Sequence, residues 1–353
     1  MKDKLKIMIT GAGAPQSPTL IRHLVENGER PVSVVGIDMD KEASGSFLAD
    51  AFHVIPAAGS EGYFDRLFEV IRLEKPDALL NVSGADVRFI SRVKDQIESE
   101  GTACICSSAE TIEVADNKYT LFQTVSRIDP SYVPEYYWPK TLDEFVETAR
   151  KMGYPDRDVC FKPHVGKGSR GFRVLTERFS KRDLLLNHKP ISRYMSLDEF
   201  VTIFRNEPDF PTLMLMEVAS GEEIDAMTIG YRGEALLSTY KTRESDRWGI
   251  IDKGELVRRP EIGRRIEQIT SAIPLEFNIS LQFIGGKIIE INPRTSTFIY
   301  APDFNEPWLA VQLALGLIGP DDVRAAEARV PYGRRMVRHM DQIFHEADGR
   351  WWR

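Results

Sequence analysis

At 353 residues, with 42% hydrophobic and 28% charged residues, the chain is long enough for two or three packed domains and carries no compositional mark of disorder. A net charge of −7 argues against nucleic-acid binding through bulk charge, and no apolar run approaches the ~20 residues that span a bilayer. The three cysteines (Cys104, Cys106, Cys160) form no CxxC pair and the six histidines no HExxH spacing, so zinc and dithiol chemistry are disfavoured and buried thiols in a reducing, cytoplasmic setting are expected.

The opening MKDKLKIMITGAG has too short an apolar part for a signal peptide. LKIMIT (Leu5–Thr10) reads as a strand, TLIRHLVENG as a helix stopped at Gly28, and VSVVGID (Val32–Asp38) as a second strand. YFDRLFEVIRLEKP follows as a helix ended before Pro76, then the strands DALLNVSG and TACIC. This alternation predicts a parallel sheet covered by helices. Helical SSAETIEVADNKYTLFQTV opens a second region. Two capping boxes, Thr141 with Glu144 and Ser196 with Glu199, mark later helix starts. From TLMLMEV onward the pattern turns strand-rich (EIDAMTIGY, EALLSTYKT, ISLQFI, KIIEIN), joined by turns at Arg232–Gly233 and Gly285–Gly286, which predicts an antiparallel sheet. WLAVQLALGLIG reads as a late apolar helix. The basic tail ending in Trp351 and Trp352 is expected to pack on the body or at a homodimer contact.

Two glycine clusters compete as nucleotide sites. Gly11 and Gly13, with Asp38 ending the next strand, suggest a dinucleotide fold. Gln16 stands where the third fingerprint glycine belongs, and Pro15 and Pro18 alter the turn, so a tight strand-to-helix turn is the better reading. The second cluster, FKPHVGKGSRGFRVL (Phe161–Leu175), sets Gly166, Gly168 and Gly171 among Lys167, Ser169 and Arg170. Exposed amides and cations suit a polyphosphate. The spacing is not a Walker loop, and a strand follows, so a hairpin flap is expected.

IIEINPRTS adds a second chemistry. In an extended segment Glu290, Asn292 and Arg294 share one face. A carboxylate, an amide and a guanidinium there suit magnesium and phosphate better than a core. Gln282, on the preceding strand, is expected to face the same cleft.

The ordered set DNK, KPxxGxGSxG, MExxxGEE and Q…ExNPR resembles the ATP-grasp superfamily. It is similar to the carbamoyl-phosphate-synthase-like branch with its N-terminal domain, and the resemblance covers essentially the whole chain. It implies an α/β protein: a Rossmann-like parallel sheet (1–108), then a two-lobed α+β ATP-grasp fold, with its first lobe and flap at 109–215 and its metal-bearing lobe at 216–353. It also implies roles. Lys118 and Lys162 would contact ATP phosphates. Gly166, Gly168, Ser169 and Gly171 would form the flap. The backbone of Glu217 and Val218 would pair with adenine, and Glu223 with ribose, Glu222 being an alternative. Gln282, Glu290 and Asn292 would bind Mg²⁺, with Mn²⁺ as a substitute. Arg294 and Arg243 would stabilise the transferred phosphate. Gln282 replaces the acid that many superfamily members carry.

The implied activity is ATP-dependent joining of a small-molecule carboxylate to an amine through an acyl phosphate, releasing ADP and phosphate. A carbamoyl-phosphate-type bicarbonate or carboxylate kinase and a non-catalytic nucleotide-binding module are the alternatives. Neither nucleic acid nor membrane is an expected partner.

Overall fold

The structure is a computed structural model that describes residues 3–164, 171–189, 192–247 and 250–352. The chain divides into two compact units: Met1–Asp116 with Glu223–Phe283 and Glu290–Arg353, and Asn117–Glu222 with Ile284–Ile289.

The first unit opens with strands β1 (Leu5–Thr10), β2 (Val32–Asp38), β3 (Ala51–Val54), β4 (Ala78–Leu80) and β5 (Ala103–Ile105), in the order β3-β2-β1-β4-β5, all parallel. Leu5, Ile7 and Ile9 of β1 enter one hydrophobic cluster and Met8 the other, so both faces are buried, as a helix-covered parallel sheet requires. The cluster around Ile7 also takes in Trp308, Leu309 and Val311 from the helix Glu306–Ala314. That helix starts earlier and stops sooner than its apolar run suggests. Asn305 caps its start through Trp308 N, and Gly316, at φ +64°, turns the chain away after Leu315.

The second unit carries β6 (Tyr136–Tyr137), β7 (Val159–Pro163), β8 (Arg173–Leu175), β9 (Tyr194–Met195) and β10 (Leu213–Glu217) in the order β6-β10-β7-β8-β9. Its core gathers Phe145, Phe161, Phe200 and Leu215, with Phe145 and Phe200 stacked at 4.1 Å. Ser196 and Glu199 form the expected capping box. At the other predicted box Thr141 accepts from Glu144 N, but the Glu144 carboxylate takes the N–H of Lys140, one residue before the cap.

The remaining strands are β11 (Glu223–Tyr231), β12 (Glu234–Thr242), β13 (Ser245–Arg247), β14 (Ile250–Val257), β15 (Phe277–Ile284), β16 (Lys287–Asn292) and β17 (Arg335–Val337). Their sheet runs β13-β14-β12-β11-β15-β16, with β17 on β14. Arg232 and Gly233, both at positive φ, close the antiparallel β11–β12 hairpin. The chain finishes in a small hairpin pairing Phe344–His345 with Trp351–Trp352. Trp351 meets Phe47 edge-on and Trp352 stacks on Phe344, yet both indoles stay about half exposed. Among the described residues no helix is long and apolar enough to cross a membrane.

Candidate active site

In the second unit the antiparallel pair β7–β8 frames the glycine loop. Gly166, Gly168 and Ser169 lie outside the described residues. Gly171 does not: at φ +74° a Cβ would sit 2.7 Å from Pro163 Cδ and Cγ, so only glycine lets the chain return over the end of β7. Lys162, on β7, is buried; its Nζ donates to Ile289 O at 3.1 Å and lies 5.6 Å from the centroid of the Phe122 ring. Lys118 is equally buried at the first turn of the helix Lys118–Ile128. Asn117 caps that helix through Tyr119 N, and the Lys118 amide donates to His164 O at 3.0 Å, beside the loop's root.

Glu217 ends β10. Its N–H donates to Glu135 O, and its carbonyl accepts from Cys160 Sγ at 3.4 Å. Burial raises the Glu217 carboxyl pKa, but Lys287, the Glu135 backbone contact and Arg157 outweigh it, and the net shift is downward. Arg157 Nη2 lies 2.8 Å from Oε2, and Lys287 Nζ bonds Oε1. Val218 is exposed just beyond. The next turn packs closely: Gly285 N donates to Glu222 O, and a Cβ on Gly221 would approach Gly285 Cα to 2.8 Å.

The remaining candidates belong to the first unit. Glu223 Oε1 pairs with Arg243 Nη1 at 3.1 Å, and the same nitrogen donates to Gln282 Oε1 at 3.4 Å. Asn292 Nδ2 donates to Glu290 Oε1 at 3.2 Å, consistent with neighbours two apart on one strand face. Arg294 Nη1 donates to Thr295 O at 3.2 Å, while its buried Nε has no hydrogen-bond partner among the described residues. Burial pushes the Arg294 guanidinium below its ordinary pKa, opposed by Glu290, Asp225 and Asp116.

Gln282, Glu290 and Asn292 offer hard oxygen donors, a set that fits Mg²⁺ when phosphate and water supply the rest. Among the described residues no three His, Cys, Asp or Glu side chains gather as a metal cage.

Several participants escaped the sequence reading. Lys287 and Arg157 clamp Glu217, and Asp225, whose charge acts on Arg294, is buried with Lys241 and Glu306. Asp225 and Lys241 were legible in principle, since each lies two residues along a strand from Glu223 or Arg243. Arg157, in a loop, had no such signal. At the first glycine cluster, Asp38 spends its carboxylate on the backbone: Oδ2 accepts from Gly13 N at 2.8 Å and Oδ1 from Asp40 N at 3.0 Å.

No family model matches the chain. It is 22% identical over 248 residues to the carbamoyl phosphate synthase large chain of Buchnera aphidicola, across 66% of this chain and 21% of that protein. It is 26% identical over 168 residues to the formate-dependent phosphoribosylglycinamide formyltransferase of Thermococcus kodakarensis, across 46% of this chain and 35% of that protein. Among solved structures, the biotin carboxylase domain of Hydrogenobacter thermophilus 2-oxoglutarate carboxylase, in complex with MgADP, ADP and bicarbonate, matches with a TM-score of 0.61 at 16% identity. The match covers 88% of this chain and 69% of that one. The chain has an ATP-grasp fold.

Its homologues include ATP-grasp ligases, and the fold expected from the ordered motifs is the one observed. The ATP-grasp chain spans about a fifth and about a third of the lengths of the two curated relatives.

Proposed function

We propose that this ATP-grasp chain is a cytoplasmic ATP-dependent carboxylate–amine ligase. A substrate carboxylate oxygen attacks the γ-phosphorus of ATP, the bond to the β-phosphate bridging oxygen breaks, and ADP leaves. The amine then adds to the acyl phosphate carbon, loses a proton, and expels inorganic phosphate to form the amide.

The observation that carries this reading lies in the first unit: Glu223, Arg243 and Gln282 in one bonded chain, and Glu290 held to Asn292 on β16. Two carboxylates and two amides beside a guanidinium answer the needs of a nucleotide polyphosphate and its cation. Gln282, Glu290 and Asn292 would hold Mg²⁺, which supplies charge neutralisation between phosphates when bound. Lys118 and Lys162 would meet the phosphates, and Gly166, Gly168, Ser169 and Gly171 would close over them and keep water from the acyl phosphate. The Glu217 and Val218 backbone would receive adenine, and Glu223 the ribose. Arg243 and Arg294 would hold the charge that develops on the transferred group. In this reading the functional divisions fall at 1–108, 109–215 and 216–353.

The test is a screen of carboxylate and amine pairs with ATP and Mg²⁺, following both ADP and phosphate. Equal release of the two supports the assignment. Release of AMP and pyrophosphate would mean adenylation and would overturn it.

A further inference from the structure

Glu217 is fixed more firmly than the strand it ends requires. β10 pairs with β7 along all five of its residues and with β6 on its other side, so the ladder alone holds it. At its last residue three further ties converge from separate elements. The Glu217 N–H donates to Glu135 O at 2.9 Å, Arg157 Nη2 lies 2.8 Å from Oε2, and Lys287 Nζ bonds Oε1. Each carboxylate oxygen is thus engaged by a cation, and the side chain is only 11% exposed.

Lys287 is itself located from either side. Two residues earlier Gly285 N donates to Glu222 O at 3.0 Å, and two residues later Ile289 O accepts from Lys162 Nζ at 3.1 Å. Lys287 is also the less exposed of the two cations, at 35% against 53% for Arg157, so water screens its pairing with Glu217 less. A sheet has no need of two cations on one carboxylate where its ladder stops. What they fix is the peptide that follows: the Glu217 carbonyl, and the N–H of the exposed Val218, which donates to no backbone carbonyl among the described residues. The carbonyl takes Cys160 Sγ at 3.4 Å and keeps a second lone pair. An acceptor followed by a donor matches one edge of adenine, whose 6-amino group donates and whose ring N1 accepts.

We propose that Lys287 and Arg157 are positioning residues for base recognition, clamping Glu217 so that its carbonyl and the Val218 N–H select adenine over a purine without the 6-amino group. The assignment rests on the reading of Glu217 and Val218 as the adenine-pairing backbone and names what holds that backbone in place. Neither cation touches the nucleotide in this role. Both act through the Glu217 carboxylate.

The test is calorimetric titration of the whole chain with MgATP and with MgITP, which carries an oxygen in place of the 6-amino group. Wild type should bind ATP about tenfold more tightly than ITP, the worth of one well-placed hydrogen bond. In Lys287→Met that preference should fall to about twofold or less, and Lys287→Arg should restore it. Arg157→Met should lose less of it than Lys287→Met. ITP binding should stay within about twofold of wild type in every variant, which also shows that they fold. A merely structural ion pair would weaken both nucleotides alike and leave their ratio unchanged. That result, or a wild type indifferent to the 6-amino group, overturns the proposal. Lost preference in Lys287→Met, with no ADP release from any carboxylate and amine, would strike the ligase reading and leave the clamp standing. ADP release with the preference intact in Lys287→Met would do the reverse.

Discussion

Lys162 Nζ donates to the backbone carbonyl of Ile289 at 3.1 Å, which ties the cation of β7 to the residue immediately before Glu290 in the chain. Lys162 is buried near the end of β7, and the phosphate role proposed for it depends on its charge. Lys162→Ala should lower ADP release at least ~100-fold, the order seen when a transition-state charge partner is removed. The unpaired Ile289 carbonyl should cost only ~1 kcal/mol of stability. Wild-type turnover in a folded Lys162→Ala protein would sink the phosphate role.

Glu290 and Asn292 can be separated from the fold in the same way. Glu290→Gln keeps an oxygen able to accept from Asn292 Nδ2 while removing the charge and turning the second oxygen into an amide donor. ADP release should fall ~100-fold or more, while the denaturant midpoint stays near wild type. Unchanged activity and unchanged Mg²⁺ dependence would remove Glu290 from the metal set.

Gly171→Ala combines two penalties, a left-handed backbone and a contact with Pro163. Gly101, at φ +86° with nothing within 4 Å of an added Cβ, supplies the control. Gly101→Ala should cost ~1–2 kcal/mol from the backbone alone. Gly171→Ala should cost measurably more in urea titration, and equal losses would show that Pro163 yields without strain.

The buried Glu306 sets a pH dependence. Burial raises its carboxyl from the ordinary 4.5 to about 7, opposed by Lys241 and Thr239. The folded state therefore holds this proton more tightly than the unfolded chain. The stability it confers is complete below pH 4.5 and is lost as pH rises through about 7. The full swing is roughly 3 kcal/mol at 1.36 kcal/mol per unit. The stability difference between wild type and Glu306→Gln should change across that window, wild type losing ground as pH rises. Parallel profiles would refute the raised value.

The fold class was readable because the deciding segments are long or doubly buried: LKIMIT and VSVVGID are mostly apolar, and motif order carried the rest. β3 was not readable. It has four residues, sits at the sheet edge with β2 as its partner, and is half-buried or exposed along its length, so neither an apolar run nor clean alternation marks it. The terminal hairpin escaped for a related reason, its strands being two residues each. In the site, Glu290, Asn292 and Arg294 followed from alternation and Glu223 and Arg243 from motif order, while Asp225 and Lys241 were missed. The clamp of Lys287 and Arg157 on Glu217 depends on pairings 70 and 60 residues apart, which no local pattern encodes.

Asp38 has a consequence for the amino-terminal half. With one oxygen on the Gly13 amide and the other on Asp40, the acid acts as a keystone for the loop rather than a reader of sugar hydroxyls. Titrating the protein with NADH should leave the coenzyme's fluorescence flat, and Asp38→Asn should loosen the loop without altering any affinity for ATP. With its acid so engaged, the opening strand–turn–helix would serve as scaffolding and not as a coenzyme cradle.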